Sequence, residues 1–133
     1  MEERFEHIDE IILFWRESAE QNYNTMQNLL KSKDYCWTLF LGHLVIEKLL
    51  KALYVKKLQI HAVFSHDLLR LAKKTEINVS EEYEEWLDEI TTFNLNARYD
   101  NFKQSFYKRC SKEFTEEWVA KIEILKKWLV NQL

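Results

Sequence analysis

The sequence predicts an all-α protein, an up-and-down bundle of four main antiparallel helices plus one short helix. Three observations lead there. One glycine and no proline occur among 133 residues, so the tight turns of a sheet lack their usual residues and helices meet few breakers. Apolar residues recur at three- and four-residue steps along most of the chain. The segments between these stripes are short and polar and begin with capping residues, which implies antiparallel neighbours.

The first helix is expected over residues 4–30, where Phe5, Ile8, Ile12, Trp15 and Ala19 form a stripe that Tyr23, Met26 and Leu30 continue. Lys31 and Lys33 suit the negative end of its dipole. Asp34 is placed to cap the second helix, residues 35–57, which is apolar almost all round: Trp37, Phe40, Leu41, Leu44, Val45 and Leu49 lead, and Leu39, Ile46 and Leu50 widen the band. A helix of this kind is central, or shares a second face with another subunit. Its narrow polar remainder is His43, Glu47, Lys48 and Lys51.

Residues 58–65 connect to a short helix over 66–74, with Ser65 expected as its cap. Ser80 is expected to cap the fourth helix, carrying Tyr83, Trp86, Leu87, Ile90, Phe93, Asn94 and Ala97 at helical spacing. Thr115 is the expected cap of the last helix, with Trp118, Ile122, Leu125 and Leu129 as its buried stripe. The five tryptophans read as core. Residues 1–133 thus read as one helical domain.

The formal net charge is −3, so the surface as a whole is no nucleic-acid binder and any such contact must be local. The acidic N-terminal residues and the short, charge-interrupted apolar run after them match neither a signal peptide nor a membrane span. Cys36 and Cys110 stand far apart without metal-type spacing, which points to free thiols in a cytoplasmic protein. A lone glycine, Gly42, excludes a glycine-rich phosphate loop. No metal or cofactor is expected.

Four pieces of sequence resemble the HEPN family (higher eukaryote and prokaryote nucleotide-binding). Residues 44–53, LVIEKLLKAL, resemble its second-helix pattern of a Glu-Lys step followed by Leu-Lys-Ala. Trp15 with Ala19 and Asn22 resembles its first helix, where the last position is often Asp. Ser65-His66-Asp67-Leu68 resembles the opening of its third helix, and Ala97-Arg98-Tyr99 the end of its fourth. With the order kept, the likeness spans about residues 15–130. It implies a minimal prokaryotic single-domain member with a four-helix bundle and one short helix. It further implies a homodimer, often partnered with a minimal nucleotidyltransferase in a toxin–antitoxin pair, with some relatives acting as metal-independent ribonucleases.

Those ribonucleases share an Arg and a following His with four to six residues between them, one group for phosphate charge and one for proton transfer. Here Arg98 is followed at those offsets by Lys103, Gln104 and Ser105, and no other arginine fares better. The motif is absent, so ribonuclease activity is not expected from it. The nucleotidyltransferase pattern of Gly-Ser and paired aspartates is missing too, making this chain the partner of such an enzyme.

The segment 97–112 is the expected nucleotide or RNA site. Arg98, Lys103, Lys108, Arg109 and Lys112 oppose one acid, Asp100, for a local charge of +4, and Tyr99, Phe102, Phe106 and Tyr107 are interleaved. Cations beside stacking rings suit phosphate and base; a solvated loop packing its rings on the bundle is the bland alternative. His66 either touches the ligand or serves the helix start, and Asp67 reads as a cap. His43 and Glu47 share a face, but two ligands without a third make a hydrogen-bonded pair the better reading than a metal. Glu47 and Lys51 stand in the favourable order, a contribution of ~0.3 kcal/mol if exposed. The leading reading is a non-catalytic HEPN subunit; a ribonuclease with a non-standard active site and a purely structural scaffold are the alternatives.

Overall fold

The computed structural model describes residues 7–98 and 100–133, and their side chains except at residues 100–102. Six helices follow one another: α1 (Ile8–Lys31), α2 (Tyr35–Leu58), α3 (Leu68–Lys74), α4 (Glu81–Arg98), α5 (Asp100–Arg109) and α6 (Lys112–Val130). No strand occurs among the described residues, and none of their helices is long and apolar enough to cross a membrane. The expected beginning of the first helix at Arg4 and Phe5 lies outside the described residues.

Side-chain pairings fix the directions. Lys48 donates to Ser18 at 2.7 Å and Lys51 lies over Trp15 at 5.2 Å, so α1 and α2 are antiparallel. His43 meets Asn94, and Tyr83 packs on Trp128 while Phe93 packs on Trp118, so α4 opposes both α2 and α6. Tyr23 donates to Glu123 and Lys126 pairs with Glu20, which sets α1 against α6. The four long helices therefore alternate up and down, with α3 and α5 as short struts.

The near-continuous apolar circumference of α2 has a simple outcome: it is the central helix, walled by α1, α4 and α6 and closed by α3 and α5. Leu39, Val45, Ile46, Leu50, Leu53 and Val55 are all inaccessible to solvent. Gly42 faces Ile122 of α6 and Met26 of α1. A Cβ there would stand 2.5 Å from Ile122 Cδ1 and 3.3 Å from Met26 Sδ, so any side chain must displace core atoms.

With so little glycine, the chain ends helices by another route. Lys33, Gln59 and Glu76 take the left-handed conformation just after α1, α2 and α3 (φ 66°, 59° and 63°), positions where glycine is usual because its missing Cβ removes the clash.

Several expectations change in detail. The third helix starts at Leu68 with Asp67, not Ser65, as its cap: Asp67 Oδ1 accepts from Arg70 N at 3.1 Å, and Ser65 Oγ accepts from Asp67 N. Asp34 makes no side-chain cap on α2 and instead accepts from Ser32. Ser80 does cap α4 by accepting from Tyr83 N. The last helix begins earlier than expected, capped by Ser111 through Phe114 N; Thr115 is buried inside its first turns. The basic segment is not a loop, because α5 occupies it. Phe106, 2 % exposed, anchors that helix by stacking on Phe93 at 5.7 Å, and Phe114 and Trp118 complete the aromatic cluster. Of the tryptophans only Trp118 is buried, and Trp37 is 47 % exposed.

Candidate functional site

Two candidate regions lie along α2, a polar one about its middle and a cleft at its start. The first is buried. Glu47 is 4 % exposed and takes two donors: Lys51 Nζ on Oε2 at 3.1 Å and His66 Nδ1 on Oε1 at 2.8 Å. One turn away, His43 is fully buried, with Nε2 2.9 Å from the backbone oxygen of His66. A carbonyl can only accept, so Nε2 carries the proton and Nδ1 is left as an acceptor, facing Asn94 Nδ2 at 3.4 Å. Burial holds the His43 imidazole below its ordinary pKa of 6.5, outweighing the attraction of Glu47. The indole of Trp15 and the ring of Phe64, 5.2 and 5.8 Å from Lys51 Nζ, cover the cation. Phe64 itself is 88 % exposed and packs edge-on against His66. The result is a fixed, half-buried imidazole whose Nδ1 is held by a carboxylate.

The second region is a cleft where the start of α2 meets the end of α4 and α5. Cys36, Trp37, Asn96, Ala97, Lys103, Phe106 and Tyr107 line its inner part. Its outer part, about 310 Å³, runs past Lys33, Asp34 and Tyr35 to Cys110, a volume at the lower end of small-molecule sites. Trp37 and Tyr107 are its walls and are both largely exposed. Buried Phe106 on one face of α5 is what turns Tyr107 and Lys103 outward. A wider groove of about 430 Å³ along α3 mixes Arg70, Lys73 and Lys74 with Asp67 and Asp88, and no aromatic side chain lines it.

The structure gathers part of the basic set expected from sequence. Arg98, Lys103 and Lys108 are exposed around the α4–α5 corner, and Lys103 reaches the cleft. Arg109 is engaged within the fold: its guanidinium pairs with Glu89 at 2.9 Å and lies 5.2 Å over Phe114, tying α5 to α4 and α6. Tyr99 lies outside the described residues. His66 is not part of this corner. It is held beside Glu47, ten residues along α2 from Trp37, hence roughly 15 Å up the helix axis. Sequence reasoning missed Trp37 as a surface ring and the Glu47–His66 bond. Trp37 fitted an apolar stripe, and two residues nineteen apart leave no periodic trace.

A bundle of four alternating helices with two short struts, a buried Glu-Lys pair on the central helix and a Ser-His-Asp entry to the third defines the class of protein. The HEPN domain family matches residues 12–133, and the chain belongs to that family. A crystal structure of TT1696 from Thermus thermophilus is similar in fold: TM-score 0.79 at 20 % identity, covering 92 % of this chain and 98 % of that one. No curated protein sequence matches the chain. Among the described residues no group of three or more His, Cys, Asp or Glu could hold a metal ion.

Proposed function

We propose that this HEPN-domain protein is a nucleotide- or RNA-binding subunit without ribonuclease chemistry of its own, and that its ligand lies in the α2–α5 cleft. One observation carries the reading: two exposed aromatic walls, Trp37 and Tyr107, flank a cleft that Lys103 also lines. Rings offer π-faces to bases of any sequence while a cation takes the phosphate. Arg98 and Lys108 extend the positive field at the same corner, with Tyr99 the next residue after α4; Arg109 holds α5 in place. His66 belongs to this site only if a longer strand runs along α2 toward Glu47.

The same reading makes the protein a homodimer partnered with a minimal nucleotidyltransferase in a toxin–antitoxin pair. The subunit contact in this reading falls to exposed Leu13, Phe14, Ile60 and Phe64. Sedimentation giving a monomer at micromolar concentration would remove the dimer.

The test of the site is titration with ATP and with single-stranded oligoadenylate RNA. Trp37→Ala and Tyr107→Ala are each expected to weaken binding about tenfold, the effect of one lost stacking contact. Lys103→Ala is expected to lower the salt dependence of RNA binding by about 0.7 in log–log slope. Unchanged affinity in all three variants rejects the site.

The Glu47–His66 pair supports one further reading, a metal-independent ribonuclease with His66 as base, since a carboxylate-fixed imidazole suits proton transfer. Cleavage of cellular RNA that disappears in His66→Ala would favour it; intact RNA would exclude it.

A further inference from the structure

We propose that Cys36 and Cys110 form a reversible disulfide that responds to peroxide and closes the cleft between Trp37 and Tyr107. The closing half of the proposal rests on the reading of that cleft as the ligand site; the disulfide itself does not.

The two thiols, distant in sequence, line the same cavity, Cys36 half-buried and Cys110 6 % exposed. Cys36 is the second residue of α2, whose first turn holds no acidic residue and whose flanking Asp34 makes no side-chain cap. The free N–H groups and dipole of that helix end favour a thiolate. Lys33 and Asp34 line the same cavity with opposite charges, so the helix end is left as the favourable field. The thiols also interact with each other. Cys36 is held below its ordinary value, chiefly by a hydrogen bond from Cys110, while Cys110 is pushed up by the same bond and by burial. Cys36, half-buried at the start of α2, is the sulfur that peroxide reaches first, and buried Cys110 is the thiol that follows.

The chemistry balances with hydrogen peroxide as oxidant. The Cys36 thiolate attacks one peroxide oxygen, the O–O bond breaks, and the departing hydroxide takes a proton to become water. Cys36 is now a sulfenic acid. The Cys110 sulfur attacks the Cys36 sulfur, the S–O bond breaks, and the second water leaves with the Cys110 proton. Two electrons have passed from the two sulfurs to the peroxide, and a dithiol reductant reverses the change.

The position of the bond gives its consequence. Cys36 precedes Trp37, and Cys110 lies three residues beyond Tyr107, so each sulfur is adjacent to one wall of the cleft. Drawing the sulfurs to about 2.05 Å pulls the first turn of α2 against the end of α5 and brings the walls together.

The experiment compares reduced and peroxide-treated full-length protein, as wild type, Cys36→Ser and Cys110→Ala. Intact mass and thiol alkylation read the bond. Acrylamide quenching of Trp37, taken as the difference from Trp37→Phe, reads closure without any ligand. Affinity for ATP and oligoadenylate reads its effect on binding. In wild type, oxidation is expected to remove two hydrogens within one chain and protect both cysteines. Trp37 quenching should fall at least twofold and affinity about tenfold, all reversed by dithiothreitol and all absent from both variants. Two alkylatable cysteines after peroxide, a bond only between chains, or unchanged Trp37 access in the oxidised protein overturns the proposal. If the reduced protein binds neither probe, the ligand reading fails, while mass and quenching still decide the disulfide and the closure.

Discussion

Glu47 is the residue on which the buried polar region depends, and Glu47→Gln tests that directly. The substitution keeps volume and shape, so no cavity opens; what it removes is the negative charge between two donors. Lys51, 7 % exposed, becomes a buried cation without its counter-ion, a change that costs about 3–5 kcal/mol when one partner of a buried pair is lost. Trp15 and Phe64 lie over the ammonium at 5.2 and 5.8 Å with or without Glu47, so they keep the cation partly covered and the loss falls at the lower end of that range. Glu47→Gln should therefore lower stability by about 3 kcal/mol. Lys51→Met replaces the cation by an apolar chain that suits the rings, and the double variant removes both charges at once. The double variant should be no worse than about 1 kcal/mol below wild type, far from the sum of the single losses. Urea unfolding followed by tryptophan fluorescence measures this, with the midpoint moving and the slope constant. A loss under about 1 kcal/mol for Glu47→Gln, or strict additivity, refutes the reasoning.

Other perturbations follow from the same structure. Gly42→Ala sets a helix-propensity gain of about 1 kcal/mol against overpacking of Ile122 and Met26, so a net loss near 1 kcal/mol is expected. Ile122→Val, which removes the Cδ1 atom 2.5 Å from the added methyl, should recover most of that loss in the double variant by denaturant titration. Glu76→Gly, in the left-handed turn after α3, should raise stability by about 0.5–1 kcal/mol because the Cβ clash is relieved; a lower midpoint contradicts it. His43 stays neutral in the fold because burial depresses its pKa below 6.5. As pH falls through that value the unfolded chain takes up a proton that the folded one resists. Stability is therefore full above 6.5 and is lost below it, by at most ~1.4 kcal/mol per pH unit. His43→Gln should flatten the acid limb of a pH series of urea midpoints, and an unaltered limb would show another group at work.

Much of the bundle could be read from periodicity alone. The apolar steps of α1, α2, α4 and α6 impose their helices, and α2 is central because its polar face is narrow. Helix α5 escaped that reading because its apolar face is brief: Phe106 is buried between exposed Ser105 and Tyr107, and the clustered cations look like a loop. Phe93, on another helix, gives Phe106 a ring partner. Caps were less legible, since Ser65, Asp67, Ser111 and Thr115 all carry a suitable oxygen and tertiary packing chooses among them. The candidate site divides in the same way. Lys103 and Tyr107 were visible as part of a basic, aromatic run, whereas Trp37 was hidden in an apolar stripe. The burial of His43, Glu47 and Lys51 together depends on Trp15, Phe64, His66 and Asn94 closing over them from other parts of the chain, which local spacing does not encode.

The central claim, that the α2–α5 cleft takes a base and a phosphate, is tested most directly by titrating single-stranded oligoadenylate into reduced wild-type protein and Trp37→Ala at low salt. Saturable binding that weakens about tenfold in the variant, with the fold unchanged by circular dichroism, is the predicted result. No binding to wild type, or equal affinity for both proteins, would contradict it.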